Sequence, residues 1–240
     1  MGATIDPRSP EHEAREPMLR SPGVVNICIA VLALVHAGSQ LLSDGQYQWV
    51  IANFALIPQK IGMWLAGGLG FYEYALAVMG SMFTHALLHA NVEHLIANTL
   101  WLLAAGTIVA RRVGPARFLA ILAVTTFGAA LAFVIAQWGS HDYAIGASGA
   151  TSGLMGCVFR IVFIDPKGPP GWPPPCAPLF SYRVLLASAV FVAINLVFGL
   201  SGMSAEGFFS VAVAWEAHLG GYFTGLVLFP LFDRRRTWLS

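Results

Sequence analysis

Charged residues are scarce in this chain. They make up only 10% of its 240 residues, whereas hydrophobic residues make up 57%. A soluble domain usually carries about a quarter charged residues, so this composition excludes an ordinary soluble protein. It predicts one integral membrane domain with several spans in a lipid bilayer. The formal net charge of +1 says nothing about nucleic acid, and what matters is where the few charges lie. We expect no nucleic-acid partner.

Cysteine is also scarce. Cys28, Cys157 and Cys176 are far apart in the sequence and lie in or beside apolar runs, or on the side that we assign below to the cytoplasm. This distribution excludes a disulfide framework, and no pair of cysteines has the spacing of a metal site. We expect three free thiols.

Long apolar runs, by contrast, are abundant, and a membrane span needs about 20 mostly apolar residues. The sequence predicts six spans, at residues 24–42, 94–110, 118–138, 148–164, 182–200 and 214–232. A polar, proline-containing tail at 1–23 precedes this membrane domain of residues 24–233, and a short basic tail at 234–240 follows it. A proline-rich loop joins the fourth and fifth spans.

The distribution of positive charge predicts the orientation. With six spans, every Lys and Arg except Lys60 lies on one side of the membrane, as expected for the cytoplasmic side. Residues 64–83 are apolar enough to suggest another span, but that span would separate the arginines of the N-terminal tail from those after the second span. We therefore expect both termini to be cytoplasmic and residues 43–84 to form a large, partly membrane-embedded first outer loop.

The segment 146–156 consists almost entirely of small residues, although each glycine weakens a helix by about 1 kcal/mol relative to Ala. In a membrane, the GxxxG spacing of Gly149 and Gly153 lets two helix backbones approach closely. Taken alone, this pattern favours a helix-packing face. The second interpretation is that Ser148, with Gly146 and Gly149 near it, is an exposed nucleophile on a tight turn into a helix.

Polar residues inside spans are costly in a bilayer and are therefore candidates for function. His94 begins the second span, Asn98 follows one helical turn later, and His218 lies early in the sixth span. At about 1.5 Å per residue, Ser148, His94 and His218 lie about 22–26 Å from the inner ends of their spans, so they share one depth. Each alone fits a helix cap or an interhelical hydrogen bond. Together they indicate acyl-transfer chemistry.

This chemistry explains the residue types. A serine hydroxyl is a weak nucleophile and needs a base within hydrogen-bond reach, a role that fits His218. The tetrahedral intermediate needs donors aimed at its oxyanion, and Asn98, His94 and the backbone N–H of Ser148 fit that role. No carboxylate is placed to serve as the third member of a catalytic triad, because Glu216 lies on another face of the helix from His218. We predict a Ser-His dyad and no cofactor.

Three motifs lie in order on or just before the second, fourth and sixth spans. They are His85-x3-His89-x4-His94-x3-Asn98, Gly146-Ala147-Ser148-Gly149 and Ala217-His218-Leu219-Gly220-Gly221. This ordered set resembles the rhomboid family of intramembrane serine proteases. The resemblance makes Ser148 the nucleophile, His218 the general base, and His94 and Asn98 the oxyanion helpers. We expect structural roles near the site for the remaining matched positions, which are His85, His89, Gly146, Gly149 and Gly221. Of these, His85 and His89 should tie the outer loop to the second span.

The resemblance implies an all-α bundle of six spans that hydrolyses a peptide bond in or beside the transmembrane helix of single-span membrane proteins. It also implies an active site that opens to the outer side of a prokaryotic cell membrane. The chain departs from the family pattern in two ways. The Trp-Arg pair of many rhomboid outer loops is missing between residues 43 and 84, and the aromatic that some members carry four residues after the serine is Ser152 here.

Three alternative functions fit parts of the sequence. A catalytically silent rhomboid-like protein that binds and escorts membrane helices could dispense with Ser148 or His218, whereas this chain keeps both. A zinc protease using His85, His89 and His94 would lack the HExxH motif. A small transporter or channel is disfavoured because the hydropathy has no strong internal repeat.

Overall fold

The computed structural model describes residues 21–67, 71–164, 176–200 and 214–233. Within these ranges the chain is helical apart from turns and one isolated antiparallel bridge between Leu56 and Ala144. The predicted C-terminal tail and most of the predicted N-terminal tail and proline-rich loop lie outside the described residues. The α-helices are α1 (Gly23–Ser39), α2 (Asp44–Phe54), α3 (Pro58–Leu65), α4 (Phe71–Thr84), α5 (Val92–Val113), α6 (Pro115–Ala136), α7 (Ser148–Val162), α8 (Tyr182–Leu200) and α9 (Trp215–Phe232), with a short 3₁₀ helix (His85–Leu87) after α4.

Each predicted span coincides with a helix, and these helices are α1 and α5 to α9. In the described part of the chain, three helical segments are long and apolar enough to cross a membrane: Val92–Val113, Pro115–Ala136 and Tyr182–Gly199. Helix α1 and the segment Tyr74–Leu87 are apolar but shorter. The chain is therefore an all-α membrane protein, and its six-span topology stays a prediction.

The start of α5 and its junction with α6 follow directly from the sequence. The side-chain oxygen of Asn91 accepts a hydrogen bond from the backbone N–H of His94 at 2.8 Å, which caps α5. The helix ends at Gly114, whose φ of +83° is readily adopted only by glycine. Pro115 then opens α6, because its fixed φ suits a first helical turn and its missing N–H is not needed there. The cap fixes His94 in the first turn of α5.

Small residues let α7 pack directly on α6 and α9. A Cβ atom added to Gly149 would overlap the side chain of Ala129 on α6. One turn further along α7, a Cβ atom added to Gly225 on α9 would overlap the carbonyl group of Gly153. The backbones of α7 and α9 are therefore in contact, as is typical of a GxxxG spacing.

The described part of the segment between α1 and α5 forms three α-helices and the short 3₁₀ helix, which pack beside the bundle. Residues 64–83 do not form one continuous helix, because α3 ends at Leu65 and α4 begins at Phe71. Just before α3, Leu56 and Ala144 exchange two backbone hydrogen bonds, at 3.1 and 3.0 Å. This bridge anchors the segment between α1 and α5 to the stretch of chain that leads into α7.

Candidate active site

Ser148 is the first residue of α7 and is half-buried. Two positions earlier, Gly146 has a φ of +117°, which other residues rarely adopt, so the chain turns sharply into the helix. The N–H of Gly146 donates to the carbonyl oxygen of His85 at 2.9 Å, which holds this turn. The first N–H groups of a helix have no acceptor within it, so this end of α7 favours a negative charge.

The first turn of α9 lies against the first turn of α7. A Cβ atom added to Gly149 would lie 3.5 Å from the carbonyl oxygen of Ala217, and one added to Gly221 would overlap the carbonyl of Gly149. Ser148 precedes Gly149, and His218 follows Ala217 and is half-buried. Each predicted catalytic residue is therefore adjacent in the sequence to a residue of the backbone contact between Gly149 and Ala217.

His94 and Asn98 lie against the turn that precedes Ser148. A Cβ atom added to Gly146 would lie 2.6 Å from Cε1 of His94, 2.7 Å from its Nε2 and 3.8 Å from Nδ2 of Asn98. Asn98 is 2% exposed, and its Nδ2 donates to the carbonyl oxygen of His94 at 2.9 Å. Since an amide nitrogen carries two hydrogens, Asn98 keeps one donor for another acceptor. Its Oδ1 and Nδ1 of His94 have no hydrogen-bond partner among the described residues.

Asn195 of α8 contacts His218 and is not among the predicted site residues. Nδ1 of His218 lies 2.9 Å from Oδ1 of Asn195. The available signal in the sequence was one amide inside an apolar span, where polar side chains commonly bond across helices. Glu216, the carboxylate nearest to His218 in the sequence, instead accepts a hydrogen bond from Nε2 of Gln137 at 2.6 Å.

His85 and His89 contact the chain around the site. Nδ1 of His85 donates to the carbonyl oxygen of Ser81 at 2.9 Å. The carbonyl oxygen of His89 accepts from Nδ1 of His36 on α1 at 3.2 Å, and the His89 ring meets the His94 ring edge-on, with centroids 5.2 Å apart. Burial lowers the pKa of both His85 and His89 to about 4, so both are neutral at pH 7. These contacts join the chain that follows α4 to α1 and α5.

The described residues hold no group of three or more His, Cys, Asp or Glu side chains arranged to bind a metal ion. Their three cysteines, Cys28, Cys157 and Cys176, are free thiols. Cys157 is buried against α9, where its thiol lies 3.6 Å from the carbonyl oxygen of Gly225. The polar groups around Ser148 are thus hydroxyl, imidazole, amide and backbone N–H, which is the donor and acceptor set of acyl-transfer chemistry.

Apolar helices packed through glycine define the class of this molecule, an integral membrane protein of all-α type. A family model described as the Rhomboid domain matches residues 77–235. The match covers well over half of the chain, and the chain belongs to the rhomboid family. The resemblance predicted from the three motifs is therefore confirmed. All the predicted site residues lie within the matched region, including Ser148 and His218.

Proposed function

We propose that this chain is an intramembrane serine endopeptidase in which Ser148 is the nucleophile and His218 is the general base. The observation that carries the proposal is the backbone contact of Gly149 with Ala217 and Gly221, because it joins the start of α7 to the start of α9. Membership of the rhomboid family, most of whose members are such proteases, supports the same assignment.

The proposed reaction has two stages. Oγ of Ser148 attacks the scissile carbonyl carbon while its proton passes to Nε2 of His218. The peptide C–N bond then breaks, and the leaving amine takes that proton from the imidazolium. A water molecule, deprotonated by His218, then attacks the carbonyl carbon of the resulting ester. The bond between that carbon and Oγ of Ser148 breaks, the carboxylic acid product leaves, and Oγ takes the proton from the imidazolium of His218. Each stage therefore leaves His218 neutral.

The oxyanion of the tetrahedral intermediate needs donors, and three candidates lie around the start of α7. The N–H of Ser148 has no acceptor inside the helix, Asn98 keeps one amide hydrogen free of its bond to His94, and the His94 ring packs on Gly146. Removal of one such donor typically lowers kcat about 100- to 1,000-fold.

The proposed substrates are single-span membrane proteins. Helix α7 has 15 residues and is therefore about 22 Å long, which is less than the hydrocarbon core of about 30 Å. If its inner end lies at the cytoplasmic surface, as the positive-inside rule favours, Ser148 lies below the outer surface. It would then meet a peptide bond in or beside a transmembrane helix, on the outer side of the membrane.

A cleavage assay with purified, detergent-solubilised protein and a single-span substrate tests the proposal. We expect cleavage by the wild type and none by Ser148→Ala or His218→Ala. Ser152→Ala is the matched control, because Ser152 lies one turn further along α7, and it should keep activity. A fluorophosphonate should label the wild type and the control but not Ser148→Ala. Undiminished cleavage by Ser148→Ala would disprove the assignment.

The same assay distinguishes the alternatives. A catalytically silent carrier of membrane helices would retain the substrate in a pull-down without cleaving it and without fluorophosphonate labelling. EDTA should leave cleavage unchanged, whereas a loss that zinc restores would favour metal-dependent hydrolysis by another group of residues.

A further inference from the structure

Asn195 is a buried amide in the C-terminal half of the apolar helix α8. The residue is 8% exposed, and its Oδ1 lies 2.9 Å from Nδ1 of His218 on α9. Polar side chains inside a span are costly unless they are paired. The partner of Asn195 is the ring of the proposed general base, which makes this contact more than a generic link between two helices.

The second hydrogen bond of Asn195 fixes which end of its amide faces the histidine. Its Nδ2 donates to the carbonyl oxygen of Phe191, one turn earlier on α8, at 2.9 Å. The amide oxygen therefore faces His218, and an amide oxygen only accepts hydrogen bonds. It follows that Nδ1 of His218 carries the hydrogen, and that in the neutral ring Nε2 carries the lone pair.

That tautomer is the one that a general base needs when it takes a proton through Nε2. In serine proteases with a catalytic triad, the third residue accepts a hydrogen bond from Nδ1, holds the ring in this tautomer and stabilises the imidazolium. We propose that Asn195 is the positioning residue of this site and that it completes a Ser148-His218-Asn195 arrangement. This inference rests on the proposed function.

An amide suits this position in a membrane. A carboxylate buried in α8 would carry a large desolvation cost unless an imidazolium at His218 paired with it, whereas a neutral amide oxygen accepts the same hydrogen bond from a neutral ring without a charge. When His218 becomes an imidazolium during the reaction, the bond to Oδ1 becomes charge-assisted and stronger. The contact therefore favours the charged intermediate state as well as the correct tautomer.

A second polar contact between α8 and α9 offers a matched control. The hydroxyl groups of Ser188 and Tyr222 lie 2.5 Å apart, and Ser188 is two turns before Asn195 on the same face of α8. Among the described hydrogen bonds, neither Ser188 nor Tyr222 bonds to His218. If Asn195 only held α8 on α9, removal of either contact would have a similar effect on activity.

The experiment compares Asn195→Leu, Asn195→Asp and Ser188→Ala with the wild type and Ser148→Ala. The readouts are kcat, KM, the pH–rate profile, thermal unfolding, and NMR of the histidine ring nitrogens, with His218 assigned from His218→Gln.

We expect Asn195→Leu to lower kcat roughly 10- to 100-fold, the range of a hydrogen bond to a charged group, with little change in KM. Ser188→Ala should stay within about 3-fold of the wild type. Asn195→Asp should keep most of the activity, with the acidic limb of its profile moved to higher pH, because a carboxylate favours the imidazolium.

Several outcomes would overturn the inference. These are a normal kcat in Asn195→Leu, an equal loss in Ser188→Ala, or an acidic limb that does not move in Asn195→Asp. If Asn195→Leu fails to fold, the profile of Asn195→Asp decides. The NMR readout needs no catalysis: a hydrogen on Nε2 of wild-type His218 contradicts the role of Asn195 even if the protein cleaves. Conversely, cleavage by Ser148→Ala refutes the proposed function and leaves the tautomer measurement intact.

Discussion

The Cα atom of Gly221 faces the carbonyl group of Gly149 so closely that a Cβ atom added to Gly221 would overlap it. Gly149 follows the proposed nucleophile, and Gly221 lies one turn after the proposed base. The contact therefore sets both the separation and the register of α7 and α9 at the depth where the chemistry is proposed to occur. The packing interpretation and the catalytic interpretation of the glycine-rich segment describe one feature.

Replacement of Gly221 by alanine should damage both packing and activity. The added methyl group meets backbone rather than a flexible side chain, so the helices must move apart. Overpacking of this kind costs about 1–3 kcal/mol, and the displaced His218 should lower cleavage at least about 10-fold. Gly38→Ala in α1 is the control, because nothing lies within 4 Å of its added Cβ atom. Thermal unfolding in detergent and the cleavage assay measure both effects, and a Gly221→Ala protein as stable and active as the control would contradict the prediction.

Asn98→Ala should lower kcat while leaving the fold largely intact. Its Nδ2 bonds to the carbonyl of its own helix, and its remaining amide hydrogen is available for the oxyanion. Loss of an oxyanion donor lowers kcat about 100-fold or more. Thr99→Ala is the matched neighbour, because its hydroxyl bonds only to the carbonyl of Ile96 in the same helix among the described contacts. Equal kcat values for the two variants in the cleavage assay would remove Asn98 from the site.

The sequence was sufficient to predict six of the helices because long apolar runs show where they lie, although it placed the junction of α5 and α6 less sharply than Gly114 and Pro115 do. Because the rise of a helix is fixed, the sequence also predicts that Ser148, His94 and His218 share one depth, and that common depth stays a prediction. It could not predict the role of Asn195. Helix α8 is apolar on almost every side, so the sequence contains no periodic pattern that says which face meets α9.

The buried contacts of Arg160 could not be predicted from the sequence either. The sequence counts it among the positive charges on the cytoplasmic side, where an arginine is normally solvated. In the structure it is 6% exposed, and its guanidinium donates to the carbonyl oxygens of Ala177 and Leu226 at 2.5 and 2.9 Å. Backbone carbonyls that converge from two separate segments leave no signature in a linear sequence.

Stability should fall as the pH is lowered from about 6.5 towards 4. Burial lowers the pKa of His85 and His89 to about 4 in the folded protein, whereas an unfolded histidine titrates near 6.5. Between these values the unfolded chain binds more protons, so each histidine contributes a loss of about 1.4 kcal/mol per pH unit. Above pH 6.5 neither histidine contributes to the dependence.

The His89→Gln variant tests this pH dependence, because glutamine does not titrate. Unfolding temperatures of the wild type and the variant should be measured from pH 4.5 to 7.5 in one detergent. This range covers the expected decline and extends about one pH unit above it. We expect a shallower decline below pH 6.5 for the variant. Parallel curves would show that His89 is not held neutral by the fold.

Asp233→Asn should destabilise the bundle without touching the proposed chemistry. Asp233, which follows α9, forms a bidentate pair with Arg112 near the end of α5, with bonds of 3.1 and 2.7 Å. The two side chains are only 3% and 8% exposed, so removing the carboxylate breaks a buried ion pair. Breaking a buried pair in this way costs about 3–5 kcal/mol, whereas Asp142→Asn, in an exposed loop, should cost little.

Arg112→Lys should also destabilise, because an ammonium group cannot reproduce the planar, two-pronged geometry. Thermal unfolding of the three variants measures the effect, and equal stability of Asp233→Asn and Asp142→Asn would show that this pair does not hold α5 to α9.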